Sequence, residues 1–318
     1  MGIRKLIIIF IIFVCSLSAN QQAKKIAYIV SDLEIPFWQI MSKGIKEKAK
    51  ELGYEIEVYS SNNSNKNELK NLALALSSKI DGLIISPINS SSAVTILEIS
   101  KTNNIPTIVA DIGSDSEDYL SFISSDNKDG AYKLGKILTN YMINLSWNKE
   151  GTVGIVSIPQ KRANGKERTF GFIKALEEDN IKVAGLYQQI DFSYEETYKY
   201  SKKLIDENKN LRAIWLQGSD KYRAALEAIK DSNKQNEIVL VCFDAEPEFL
   251  DLISKNILLG SAMQQPYLMG EEAVKSLNDY FNNKTVKKEQ KLPILAVSKD
   301  NIEEKSKIIK LNVLGIKE

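Results

Sequence analysis

The chain is expected to fold as two similar doubly wound α/β domains in tandem, and three observations lead there. Short β-branched runs alternate with longer helical patterns along almost its whole length. The runs are apolar throughout rather than at every second residue, as strands of a parallel sheet covered on both faces are. The strand-helix pattern also fills two halves of matching length, and 318 residues suffice for two domains of about 100–200 residues each.

The first half opens with a strand at 25–31 (KIAYIVS). Pro36 suits the first turn of a helix, where its missing N–H costs nothing, and that helix runs over 37–52 to Gly53. Strands follow at 55–60, 82–86, 107–110 and 120–123, with helices at 66–78 and 91–101 between them. A helix at 129–144 leads into the second half. Its strands are 153–158, 183–187, 213–216, 238–243 and 260–263, and its helices 164–178, 195–207, 222–231, 247–255 and 267–281. In the tail, 299–318, the apolar stretch 308–315 is expected as a strand or packed along a domain.

The amino terminus fixes the expected compartment. Arg4 and Lys5 precede an apolar run at 6–14, and small residues follow at Ser16, Ser18 and Ala19. A short positive segment, an apolar core and a small-residue exit read as a secretory signal peptide over 1–19, cleaved after Ser18 or Ala19. The run is too short to span a bilayer, which takes about 20 apolar residues. Val14 ahead of Cys15 argues against lipoprotein processing, which needs a small residue there. A soluble, exported, periplasmic protein is expected.

Composition removes several chemistries. The chain has no histidine, so Ser-His-Asp triads, Cys-His dyads and His-ligated zinc are impossible. After cleavage only Cys242 remains, inside the apolar run 238–243 (IVLVCF), which fits a small core residue better than a reactive thiol. Loss of Arg4 and Lys5 takes the formal net charge from +1 to about −1, leaving no basic field for nucleic acid. The lysine-rich stretches 43–50 and 284–291 read as solvated faces of helices or turns. Neither a cofactor nor a metal is expected. Neither G-x-G-x-x-G nor a P-loop occurs.

In doubly wound sheets ligands bind outside the carboxyl ends of the strands, so the informative residues follow the strands. Phe37 and Trp38 stand at a helix start after the first strand. Adjacent helix residues point in different directions, so one of this pair is expected to be free for stacking on the apolar face of a sugar. Asp111 directly follows the strand at 107–110 and Asp244 the strand at 238–243, while Gln264 ends the strand at 260–263. Arg168 lies early in a helix, and Phe192 follows the strand at 183–187. Carboxylates, a guanidinium and an amide can bond hydroxyls while aromatics cover hydrocarbon.

The chain resembles the periplasmic sugar-binding proteins of the ribose-binding type. The resemblance covers nearly all of the expected mature chain. It rests on Pro36-Phe37-Trp38, on 82–87 (GLIISP), on 104–111 (NIPTIVAD) and on 124–127 (SSDN). It continues in 167–172 (ERTFGF), in Phe243-Asp244 and in Gln264 before Pro266. Lactose-repressor-type regulators share this core but carry an amino-terminal DNA-binding domain, where this chain has a leader. The resemblance implies a ligand cleft between two lobes, 24–125 plus 265–292 and 126–264 plus 293–318, with hinge crossings near 125–127, 264–266 and 292–293. It implies ligand contacts at Phe37, Trp38, Asp111, Arg168, Phe192, Asp244 and Gln264.

Three positions depart from the family pattern. Ile35 and Ile112 stand where an asparagine and an arginine are expected, and Gly218 where a second asparagine is. A site with those bonds removed rejects ligands built to make them. The departures point away from ribose, toward a less hydroxylated ligand or a sugar with an apolar substituent.

The function expected is capture of a small sugar or sugar-like molecule by a monomeric receptor, whose closed form is presented to a membrane ABC permease. The alternative within this class is a sensor that signals to a membrane kinase or chemoreceptor. From a different class, Asp111 and Asp244 permit an exported glycosidase, which needs two carboxylates roughly 5–10 Å apart. Turnover separates the two classes.

Overall fold

The computed structural model describes residues 23–317, and the expected signal peptide over 1–19, with Cys15, lies outside them. The first half contains β1 (Lys25–Val30), α1 (Pro36–Glu51), β2 (Glu55–Ser60), α2 (Asn65–Ser77), β3 (Gly82–Ser86), α3 (Ser92–Thr102), β4 (Thr107–Ala110) and β5 (Ser121–Ser125). The second contains α4 (Asn127–Asn144), β6 (Thr152–Ser157), α5 (Ala163–Glu178), β7 (Lys182–Gln188), α6 (Tyr194–Glu207), β8 (Leu211–Leu216), α7 (Tyr222–Asp231), β9 (Val239–Phe243), α8 (Phe249–Ser254) and β10 (Gly260–Met263). The chain ends with α9 (Pro266–Phe281), β11 (Glu289–Leu292), β12 (Leu295–Ser298) and α10 (Ile302–Ile308), which runs on into a π-helical turn, Ile309–Val313.

Two six-stranded sheets result, with equivalent strand orders: β2-β1-β3-β4-β5-β11 and β7-β6-β8-β9-β10-β12. Each sheet buries both faces of its inner strands, which is why β1, β3, β8 and β9 are largely apolar. Ile26, Tyr28 and Val30 of β1 point to one face, among Met41, Ile45, Ala273 and Leu277 of α1 and α9. Ala27 and Ile29 point to the other, among Leu72, Ala75, Ile96 and Leu97 of α2 and α3. In the second sheet Trp215, Val241 and Phe243 pack toward α4 and α5. Leu240 and Cys242 pack with Ala225 and Phe249, from α7 and α8. Cys242 is fully buried and burial pushes its thiol up, so it is an inert core residue.

The chain crosses between the domains three times. It leaves β5 for α4, which lies on the second sheet; it leaves β10 for α9; and it passes from β11 in the first sheet to β12 in the second. The return of α9 to the first domain depends on glycine. A Cβ at Gly44 would lie 2.2 Å from the Tyr267 carbonyl oxygen, and one at Gly270 2.4 Å from that of Met41, so α1 and α9 cross backbone to backbone. Among the described residues no helix is long and apolar enough to cross a membrane.

The carboxyl end of the chain refines two expectations and decides between the alternatives of a third. The lysine-rich segment before Pro293 is not wholly a solvated turn, because its residues Glu289–Leu292 form β11, parallel to β5. At a sheet edge half the side chains stay in water, so charge is compatible with a strand there. The second departure is β12, which runs antiparallel to β10, so the second sheet is mixed at that edge. Third, of the two forms expected for 308–315, it takes the packed one and not the strand. Ile309, Val313 and Leu314 join the second domain's core, whereas Asn312 Nδ2 donates to Gln265 Oε1 at 2.8 Å and Lys43 Nζ donates to the Gly315 carbonyl at 2.8 Å. Lys317 pairs with Glu47 of α1 at 2.7 Å, so the tail lies across both domains.

Candidate functional site

Asp111 and Asp244 occupy equivalent places in the two domains. Each follows the fourth strand of its sheet in the left-handed region, at φ 64° and 68°. Each amide donates to the neighbouring fifth strand, Asp111 to the Ile123 carbonyl at 2.9 Å and Asp244 to that of Ala262 at 2.8 Å. Aspartate is among the few side chains that enter this region at modest cost. The shared turn therefore sets a carboxylate at the carboxyl end of each sheet. Phe192, after β7, has φ 58°, which is rare for a bulky residue. Its amide donates to Glu196 Oε2 at 3.0 Å, which anchors the turn.

The other polar groups come from the second domain. Arg168, buried on α5, donates through Nε to Asn127 Oδ1 at 2.9 Å and through Nη1 to the Gln217 carbonyl at 2.8 Å. Its guanidinium lies 3.6 Å from Asp244 Oδ2 and 3.9 Å from the centre of the Phe243 ring. Gln264 Nε2 donates to Asp244 Oδ1 at 2.7 Å, and Asn164 Nδ2 to Asp111 Oδ2 at 3.1 Å across the domain boundary. Arg162 also crosses, donating from Nε to the Ile88 carbonyl at 3.1 Å, with its guanidinium 5.5 Å from the centre of the Phe192 ring.

All seven residues singled out in the sequence line one cavity between the domains: Phe37, Trp38, Asp111, Arg168, Phe192, Asp244 and Gln264. Phe37 and Trp38 meet edge to face with centroids 4.8 Å apart, and Trp38 also belongs to the first domain's core. Two acceptors, Asp111 Oδ1 and Gln264 Oε1, are buried with no partner among the described residues. Such an atom costs about 1–3 kcal/mol until something donates to it. Hydroxyls or an amine on a bound molecule are suitable donors.

Ile112 is placed differently from its expected role. It is fully buried in the first domain's core and does not line the cavity, because its neighbour Asp111 takes the turn toward the ligand space. Only Ile35 and Gly218, of the three departures, border the cavity. The lining also includes Ile158, Arg162, Asn164, Gln189, Gln217, Ser219, Asp220 and Glu246, which the sequence reading did not single out. Most follow β6, β7, β8 or β9 within a few residues. Applying the strand-end rule to every strand would have found them.

Electrostatics distinguish the cavity from ordinary surface. Burial raises the Asp111 carboxyl to about 6, even though Arg168 pulls it down. Burial also raises Asp244 against the pull of Arg168, and raises Glu246 to about 7 against a hydrogen bond from Ser219. A carboxyl raised in the folded state confers stability that is complete below its unfolded value, near pH 4, and is lost as pH rises through 6 to 7. The ligand-free protein is therefore expected to melt at lower temperature at pH 8 than at pH 5. Glu246→Gln should flatten the part of that slope between pH 6 and 8. Thermal melts across the range check this, and a melting point that climbs from pH 5 to pH 8 contradicts it.

A family model described as a periplasmic binding protein domain matches residues 26–285. The ribose import binding protein of Bacillus subtilis is 24% identical over 296 residues, covering 90% of this chain and 94% of that protein. That of Haemophilus influenzae is 27% identical over 279 residues, covering 88% and 92%. Among solved structures, a carbohydrate transporter solute-binding protein from Agrobacterium radiobacter in complex with D-arabinose superposes with a TM-score of 0.82 at 19% identity, covering 92% of this chain and all of that one. The last likeness concerns the fold alone.

Proposed function

The chain belongs to the periplasmic binding protein domain family, and from that premise we propose that it is an exported receptor for a small sugar or sugar-like solute. One observation carries the reading. Aromatic rings and hydrogen-bonding groups from both domains converge on a single cavity, where Asp111 Oδ1 and Gln264 Oε1 await donors. Phe37, Trp38 and Phe192 would cover the apolar faces of a sugar ring. Asp111, Arg168, Asp244 and Gln264 would bond its hydroxyls.

The three crossings supply a hinge between lobes 24–125 plus 265–292 and 126–264 plus 293–318. Ligand would enter between open lobes and be enclosed as they close, a recognised domain motion. The closed monomer would then be read by a membrane ABC permease, as the import role in the relatives' names supports.

A thermal-shift screen against pentoses, hexoses, deoxy sugars and polyols tests this. A ligand at 100 times its dissociation constant adds about 2.7 kcal/mol of stability. The sugar should be recovered chemically unchanged, whereas release of new reducing ends would indicate a glycosidase instead. Asp111→Ala is expected to weaken binding by about ten- to hundredfold, the range for a hydrogen bond to a charged group. Silence across the panel with folded protein would end the sugar reading.

A further inference from the structure

The cavity holds more negative charge than its own cations answer. Its lining carries the carboxylates Asp111, Asp220, Asp244 and Glu246 but only two guanidiniums, Arg162 and Arg168. Arg168 engages Asp244, and Asp220 takes Lys221 Nζ at 2.7 Å. Arg162 is spent on the Ile88 carbonyl and the Phe192 ring, though its field reaches Asp111. Glu246 is left over. It accepts a hydrogen bond from Ser219 Oγ at 2.8 Å, and among the described residues no lysine or arginine comes within ion-pair distance of it.

A neutral sugar enclosed here would leave Glu246 either to hold a desolvated charge with no cation beside it or to keep its proton near neutral pH, and both are costly. Gln264, 1% exposed, adds an unpartnered Oε1 in the same cavity, so the wall asks for donors rather than acceptors. The aromatic rings that line it attract a cation as well as hydrocarbon. We propose that the preferred ligand is an amino-substituted monosaccharide, with its ammonium held beside Glu246 and its hydroxyls on Asp111, Arg168 and Gln264.

One further fact agrees. Burial drives Glu246 upward and Asp220, Glu248 and Asp244 push it the same way, with the Ser219 hydrogen bond pulling against them. An ammonium would reverse that. Anionic sugars such as phosphates and uronic acids are disfavoured by the same excess.

The inference rests on the sugar-receptor reading, and its test separates the two. The purified protein is titrated calorimetrically at pH 7 with 2-, 3- and 6-amino monosaccharides, D-glucosamine and D-galactosamine among them. The parent sugars and the N-acetylated forms are titrated alongside. At least one amine should bind about tenfold or more tighter than its parent, and N-acetylation should abolish that preference. Glu246→Gln should bring the ratio of amine to parent close to one. If parent sugars bind and no amine binds tighter, the proposal falls while the receptor reading stands. An amine preference that survives Glu246→Gln also overturns it. If neither class binds to folded protein, the sugar reading fails first and takes the proposal with it.

Discussion

Arg168→Ala is expected to cost about 3–5 kcal/mol of stability, the usual consequence of removing one partner of a buried ion pair. The guanidinium is 3% exposed and answers three groups at once: the Asp244 carboxylate, Asn127 Oδ1 and the Gln217 carbonyl. Alanine leaves all of them without that partner and vacates the face of the Phe243 ring. Binding of any ligand held by Asp244 should fall by about thirtyfold or more, since a charged pairing in a desolvated site is worth about 2–5 kcal/mol.

The deficit should depend on pH in a definite direction. Burial raises Asp244 and Arg168 holds it down, so without Arg168 its folded-state pKa climbs further. A raised carboxyl stabilises at low pH and loses that contribution as pH rises, so the variant should be closer to wild type at pH 5 than at pH 8. Adding Asp244→Asn to Arg168→Ala removes the orphaned charge and should recover part of the stability without recovering binding. Urea unfolding at both pH values and ligand titration of the two variants check these outcomes. Equal loss at pH 5 and pH 8 would mean that Asp244 is not the group left stranded.

That prediction draws on residues of both kinds, those legible in the sequence and those not. Asp111, Asp244 and Gln264 were legible because each stands at the end of an apolar run, and a buried parallel strand has such a run whatever the loop does. The repeated strand-helix pattern likewise laid out both sheets, since each inner strand must be apolar on two faces. Edge strands have no such obligation. Glu289 and Lys291 of β11 face outward, so the segment reads as a charged turn.

The cavity's charge balance was not legible for another reason. Arg162 lies outside the helical pattern at 164–178, and nothing local shows its Nε reaching Ile88 in the other domain. Glu246 sits only two residues beyond Asp244, yet its isolation from cations is a property of distant neighbours. The tail is a third such case. Val313 and Leu314 look like a strand's interior but bury into one domain as Asn312 bonds toward the other.

Trp215→Ala should match or exceed the loss at Arg168, and it tests how the site is supported from below. The indole is fully buried and stacks on Phe172 with centroids 3.9 Å apart and planes 18° from parallel. Phe172 lies one helical turn after Arg168 on α5, and Trp215 lies two residues before Gln217 on β8. The stack therefore joins the two elements that the Arg168-to-Gln217 hydrogen bond joins above it. Removing the indole opens a cavity worth about 3–5 kcal/mol, or roughly 6–20 °C in melting temperature for unfolding of a domain of this size. Affinity should fall with it as α5 loses its seat against β8. Trp215→Phe is the informative comparison. Trp215 Nε1 is buried without a partner among the described residues, so phenylalanine discards a donor that already costs about 1–3 kcal/mol while keeping a ring on Phe172. The lost hydrophobic area and the relieved N–H should largely offset one another. If Trp215→Phe melts as low as Trp215→Ala, the indole N–H is satisfied in solution and the stack alone does not hold α5 in place.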